Sequence, residues 1–242
     1  SSKDLLLALM VPLLWGMGFV VAKAGLDEFP PLFLMGLRFM VSAAILIWIY
    51  PPPPGSLRTV FFLAFVSATL QYGFTYSGLD GLDTSTAVLL VQLEVPFGAL
   101  LASVVFKDRL GPARTFGLVL AFSGVVLIAG NPTMPGKLHY AGFVVAGAFT
   151  WALGQILIKK WATVSGFHLL AWISIFAGPQ MIVASLVLEE GHWELLRNAT
   201  VVGWGAVIYL GVVMTTLGYG IWYHVLKKYN VNQVMPFLLL LQ

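Results

Sequence analysis

Three charged side chains sit inside long apolar runs of this sequence: Glu94 in VLLVQLEVPFGALL, Arg38 in LFLMGLRFMVSAA and Lys23 in GFVVAKAGL. A charge at the centre of a hydrocarbon layer costs at least about 2.5–3.5 kcal/mol on insertion scales, so each must face protein or water and each needs a reason. A carboxylate at Glu94 can bind a substrate ammonium or carry a coupling proton. It can equally pair with Arg38 or Lys23, or sit protonated and uncharged. The guanidinium of Arg38 can receive a substrate carboxylate in a forked pair, or form a buried ion pair that holds two helices together. Lys23 lies near the end of its run, where a long stem lets the ammonium snorkel to the interface and act as an anchor.

Around these charges lie groups that suit a flat, amphipathic ligand. Trp15 falls in the middle of its run, too deep for the interfacial belt, and a buried indole wants a partner for its N–H. Trp151 sits in a similar setting, and Gln155 follows it by four residues and so shares its helix face. Tyr72 and Tyr76 share a face in one run, as do Tyr219 and Tyr223 in another. The two pairs suggest aromatic gates toward opposite sides of a central Trp pair. Gln92 lines the path or bonds a neighbouring helix. Pro96 deletes a backbone hydrogen bond and bends its helix, which leaves carbonyl groups free near Gln92, and Pro236 marks a comparable break. Trp222, His168 and His224 sit near run ends and read as interfacial.

The elements that must carry these groups are membrane helices. The chain is 59% hydrophobic and 10% charged, against about 25% charged in a soluble domain, and its mean hydropathy is +0.91. Apolar runs long enough for a bilayer of roughly 30 Å fall at 5–24, 31–50, 58–79, 84–106, 112–130, 138–158, 167–188 and 201–226. A ninth, VNQVMPFLLLLQ, starts at Val231. This is an all-α integral membrane protein with the lipid bilayer as its solvent. It has no cysteine, so disulfides and thiolate metal sites are excluded.

Basic residues sort by side. Lys3, Arg58, Lys107, Arg109, Arg114, Lys159, Lys160, Lys227 and Lys228 fall on one face and only Lys137 and Arg197 on the other. The positive-inside rule then puts the N-terminus in the cytoplasm. The basic balance reflects membrane topology and implies no nucleic-acid partner.

A repeat organises the whole. LLWGMGFVVAK and FTWALGQILIKK align Trp15 with Trp151, Gly18 with Gly154 and Lys23 with Lys159 at an offset of 136. QYGFTYSGL and GYGIWYHVL align Tyr72, Tyr76 and Leu79 with Tyr219, Tyr223 and Leu226 at an offset of 147. The units are 1–130 and 131–242. A unit of five spans is odd, so the second enters from the opposite side and the repeats are inverted, as in secondary transporters with a midplane site between two halves. Ten helices are expected for two full units, of which about eight and a half are present, some 35 residues short by the repeat offset. Gly142, Ala146, Thr150 and Gly154 recur every four residues and suit close helix packing.

The pattern resembles the drug/metabolite transporter superfamily, specifically its EamA-type branch of ten-span exporters. LLWGMGFVVAKAGLDEFPPLFLMGLRFMVSA at 13–43 is similar to the family's opening Trp-Gly, Pro and Arg pattern. FKDRLGPARTFGLVLAFSGVVLI at 106–128 resembles its connection between the fourth and fifth spans. The aromatic richness is most similar to YddG-type exporters of aromatic amino acids. The resemblance implies two inverted five-helix halves, cytoplasmic termini, a central cavity and a structural role for the arginine at position 38.

No GxxxxGK[ST], HExxH or GxSxG motif and no cluster of metal ligands occurs, so neither ATP-driven pumping nor enzymatic chemistry is expected, nor any cofactor or metal. The sequence reads as a secondary transporter, monomer or homodimer, in a bacterial cytoplasmic membrane. It exports amino acids or similar small metabolites by alternating access. A nucleotide-sugar or cationic-drug carrier is the alternative within transport. An intramembrane enzyme or a structural membrane protein is the alternative outside it.

Overall fold

The computed structural model describes residues 2–53, 55, 57–107, 110–130, 136–164, 166–235 and 237–238, and every regular element among them is helical. Eight helices follow the apolar runs: α1 Ser2–Leu26, α2 Pro31–Leu46, α3 Leu57–Gly81, α4 Thr84–Val105, α5 Pro112–Ala129, α6 Leu138–Trp161, α7 Gly166–Leu188 and α8 Val201–Lys228. A ninth, α9, opens at Val231–Val234 under a capping box made by Asn230 and Gln233. A short helix, His192–Asn198, connects α7 to α8. Six of the eight are long and apolar enough to cross a bilayer, and α2 and α5 are shorter apolar helices. Both shorter ones begin on proline, Pro31 and Pro112, where a missing N–H costs nothing. Beyond Leu46 the chain keeps turning, with Ile47 N–H to Ala43 and Tyr50 N–H to Leu46 at 2.9 and 3.2 Å, which lengthens the reach of α2.

Helix α1 shows how apolar faces divide here. Ala8, Val11, Trp15, Phe19, Ala22 and Leu26 recur at three- and four-residue spacing and are buried, while Leu6, Met10, Leu13, Met17 and Val20 form an equally apolar exposed stripe. A helix that is greasy all round yet half exposed needs lipid on its outer face.

Two helices contain π-helical turns, Phe65–Leu70 in α3 and Leu210–Tyr219 in α8, and the offset of 147 carries the first into the second. Helix α4 breaks at Gln92–Leu93. Pro96 offers no N–H, so the Gln92 carbonyl instead accepts from Val95 N–H at 3.1 Å. The free carbonyl expected at Gln92 is therefore satisfied by a tight turn.

The bundle is built from three antiparallel pairs that each join one half to the other. At the centre α2 lies against α7, with Gly36 against Ile182 and Gly178 against Met40. One offset, 142, carries Gly36 onto Gly178 and Met40 onto Ile182, so these two contacts are a single contact repeated by a two-fold operation. On one flank α1 lies against α8, with Gly18 facing Met214 and Trp15 facing Gly218. On the other α3 lies against α6, with Ser67 facing Gly154 and Thr75 facing Gly147. Gly18 maps onto Gly154 and Ser67 onto Met214, so the flanks are equivalent. The face of α6 that admits a neighbour is thus Gly147 and Gly154. Gly142 faces open space, because its side of the helix points outward.

Chain direction confirms the inversion. Lys23 near the end of α1 touches the end of α3, so those two helices finish on the same side. Because α3 runs opposite to α6, the repeat mates α1 and α6 run in opposite directions. The chain is an integral membrane protein of two inverted repeats.

Candidate functional site

Where the two flanking pairs face each other, seven aromatic residues close the centre. Trp15 comes from α1, Tyr72 and Tyr76 from α3, Trp151 from α6, and Tyr219, Trp222 and Tyr223 from α8, all at most 4% exposed. Trp15 and Trp151 meet edge to face at 6.3 Å and 89°, a preferred arrangement for aromatic pairs. Tyr219 lies 4.4 Å from Trp15, and Trp222 lies 5.7 Å from Trp15 and 5.6 Å from Trp151. Both indoles find partners: Trp15 Nε1 donates to the Met214 carbonyl at 3.2 Å and Trp151 Nε1 to the Tyr219 hydroxyl at 3.3 Å. Met214 belongs to the π turn of α8.

The geometry changes two readings of the sequence. The tyrosine pairs do not form two separate gates, because the Tyr72 hydroxyl donates to that of its repeat mate Tyr219. Tyr76 and Tyr223 are buried beside them. Trp222 is the residue that spacing missed. It is 1% exposed and donates through Nε1 to Gln155 Oε1 at 2.8 Å. Its signal was present, since it follows Tyr219 by three residues on one face, but its nearness to His224 and Lys227 suggested an end. His168, in contrast, does lie at a helix end, with Nε2 2.8 Å from the Pro51 carbonyl.

Arg38 enters this cluster from α2 and is fully buried. Nε donates to Thr215 Oγ1 at 2.7 Å and a terminal nitrogen donates to the Tyr72 hydroxyl at 3.1 Å; the other lies 3.4 Å from that of Tyr76. Its guanidinium carbon stands 4.4 Å over the Tyr72 ring, a cation–π contact. No carboxylate within 4 Å pairs with it among the described residues, so the anticipated buried ion pair is absent there.

Glu94 opens the second part of α4 and is 5% exposed. It has no hydrogen bond or ion pair among the described residues, although it lies within electrostatic range of Tyr72, Tyr76 and Tyr219. Lys23 is not its partner. That ammonium donates to the Leu79 and Asp80 carbonyls at 2.9 and 2.7 Å, which is a helix cap across the bundle and not a snorkelling anchor. Gln92 turns away from the centre, lining with Pro96, Arg114 and Met235 a cleft of about 410 Å³ between α4 and α5. Pro236 lies outside the described residues. Gln71 and Gln155 are buried, and Gln71 Oε1 and Gln155 Nε2 have no partner among the described residues.

Among the described residues the arrangement sets a guanidinium without a counter-ion and a carboxylate without a partner beside a wall of aromatic rings. In the state described here the rings fill the centre. No group of three or more potential metal ligands occurs among the described residues.

Comparison with known proteins gives consistent likenesses. The EamA-like transporter family matches residues 2–130 and again 139–241. Two proteins named probable amino-acid metabolite efflux pump, from Escherichia coli (strain K12) and Salmonella typhimurium, are each 32% identical over 250 residues, covering 99% of this chain and 83% of their own. An uncharacterized transporter of Bacillus subtilis, YoaV, is 22% identical over 96% of this chain and 82% of its own. One crystal structure shares the fold, with a TM-score of 0.72 at 20% identity over 97% of this chain and 83% of its own.

Proposed function

Since this chain belongs to the EamA-like transporter family, we propose that it exports neutral amino acids, aromatic ones among them, by alternating access at the aromatic centre. The family makes it a membrane transporter and not an enzyme. One observation carries the proposal further than the family: Arg38 and Glu94 are both buried, neither has an opposite charge among the described residues, and both act on the same tyrosines. A lone buried charge is costly, and a cargo with one carboxylate and one ammonium relieves both at once. Arg38 takes the carboxylate in a fork, Glu94 takes the ammonium, and the tryptophans and tyrosines receive an apolar or aromatic side chain. The positive-inside distribution supports a cytoplasmic N-terminus, so that cargo is collected from the Lys159 side and released on the Lys23 side. The names of the two efflux pumps favour the same cargo class.

The test is transport by purified protein in proteoliposomes. Labelled phenylalanine, tryptophan, leucine or threonine is taken up faster than by empty vesicles. Unlabelled zwitterions compete, whereas phenethylamine and phenylpyruvate, each lacking one charge, do not. Glu94→Gln lets phenylpyruvate compete as strongly as phenylalanine. Uptake of all four amino acids at the rate of empty vesicles overturns the proposal.

A further inference from the structure

The lysines that align in the repeat do the same thing in three dimensions. Lys23 on α1 donates to the Leu79 and Asp80 carbonyls at the end of α3. Lys159 on α6 donates to the Leu226, Lys227 and Tyr229 carbonyls, at 2.9, 3.0 and 2.8 Å, where α8 ends. Leu79 and Leu226 are themselves repeat mates. Each lysine therefore crosses from one flanking pair to the other, α1/α8 to α3/α6, and the two crossings lie at opposite ends of the molecule. The aromatic centre lies between them.

One turn inward of each lysine, on the same face, the next residue also reaches across. Phe19 stacks on Tyr76 at 6.2 Å and Gln155 accepts from Trp222 at 2.8 Å. The central pair is fastened differently. The Glu189 carboxylate accepts Leu32 N–H and Phe33 N–H at 2.8 and 3.0 Å at one end of α2/α7. At the other end Trp172 Nε1 donates to the Pro51 carbonyl at 2.9 Å. The centre is pinned at both ends and suits an axis, while at each end the flanks meet across the seam through a lysine of the repeat, Lys23 or Lys159.

We propose that Lys23 and Lys159 are the two gates of transport: each closes its end by capping the helix across the seam, and releasing one while the other holds exposes the centre to that side. The proposal rests on the alternating-access reading above. The chemistry suits reversible opening. The last carbonyls of a helix lack intrahelical partners and carry partial negative charge that favours a cation, so a closed lysine satisfies them. When the end opens, water solvates the ammonium and the carbonyls alike. A buried ion pair at the same place would hold two full charges whose separation and rehydration are far less balanced.

The gates are unequal. Lys227 Nζ also donates to the Ala162 carbonyl at 2.9 Å beside Lys159, where the other half carries Asp80 in the position of Lys227. The Lys23 end therefore opens more readily.

The absence of cysteine makes the test direct. Phe19→Cys and Gln155→Cys, made singly, place a thiol just inside each gate, and a membrane-impermeant methanethiosulfonate reagent is applied from either side. Lys23→Met raises labelling at position 19 on the order of tenfold, the factor for losing one charge-assisted hydrogen bond, and lowers it at 155. Lys159→Met does the reverse. Lys→Arg, which retains charge and donors, keeps the parent pattern, and Lys→Gln falls between. Labelling that moves in the same sense at both positions, or stays at the parent rate in Met and Gln variants that run as monodisperse protein, overturns the gate assignment. With both lysines intact, phenylalanine moves the two labelling rates in opposite senses. Failure of that control overturns alternating access itself, independently of the lysines.

Discussion

The two halves of the chain share a frame and differ in chemistry. In both, a lysine caps the facing helix, a glycine admits its neighbour and a π turn interrupts the same helix. The offset of 142 that superposes α2 on α7 carries Arg38 onto Gln180, and here the likeness ends. Arg38 is fully buried among tyrosines. Gln180 is half-buried, accepts from Thr69 Oγ1 at 2.6 Å and lies 3.3 Å from the Phe61 carbonyl. What recurs in both halves is architecture, which duplication can copy. What occurs once, Arg38 and Glu94 above all, is where a cargo with two different ends is distinguished.

The sharpest way to break this contrast is to make the halves alike. Arg38→Gln removes a buried cation and its bonds to Thr215 and Tyr72, each worth about 1.5–3 kcal/mol when charge-assisted. Initial uptake in proteoliposomes falls at least about a hundredfold, the factor for roughly 3 kcal/mol. Gln180→Ala loses two neutral bonds, one of them exposed, together about 1–2 kcal/mol, and lowers the same rate less than about thirtyfold. Equal losses from the two substitutions refute the division between repeated frame and unrepeated chemistry.

A smaller effect tests the frame itself. A Cβ at Gly154 would fall 2.7 Å from the Ser67 Cα, whereas one at Gly18 meets only the flexible end of Met214. Gly154→Ala therefore lowers stability in detergent by about 1–3 kcal/mol, the usual cost of overpacking, and Gly18→Ala by less, as read from thermal unfolding.

The smallest effect concerns the end of the bundle where Glu28 accepts from the Thr200 hydroxyl and, at 2.7 Å, from Thr200 N–H at the start of α8. Its repeat position, at the offset of 136, is Val164, so this cap also exists once. The Thr200 hydroxyl, then its backbone N–H, hold the Glu28 carboxyl below its ordinary 4.5. A depressed folded pKa adds stability that is complete above 4.5 and is lost as pH falls through the lower folded value. The difference in melting temperature between the parent and Glu28→Gln is constant near neutrality and shrinks on acidification below 4.5.

Much of the frame could be read from sequence because it is written in rare residues at fixed offsets. Trp15 with Trp151, Lys23 with Lys159 and Tyr72 with Tyr219 stand out from an apolar background and fixed both the duplication and its inversion. The pairing of α2 with α7 did not stand out, since its markers are a glycine and unlike aliphatics, Met40 and Ile182, which match anything in such a chain. Trp222 was misplaced because depth was judged from nearby charges, while a π turn upstream alters the phase of its helix. Arg38 without a carboxylate is a statement about what four neighbouring helices fail to supply, and no spacing along one helix contains it.

The π turns have a consequence for descent. Each holds a residue more per turn than its surroundings, so removing one residue turns everything beyond it by about 100° and would swing Tyr219 and Trp222 off the centre. A widened turn at the same place in both halves is most simply inherited from a single ancestral half that already contained it. In both halves the widened turn thus sets the phase that brings a tyrosine, Tyr72 or Tyr219, to the centre.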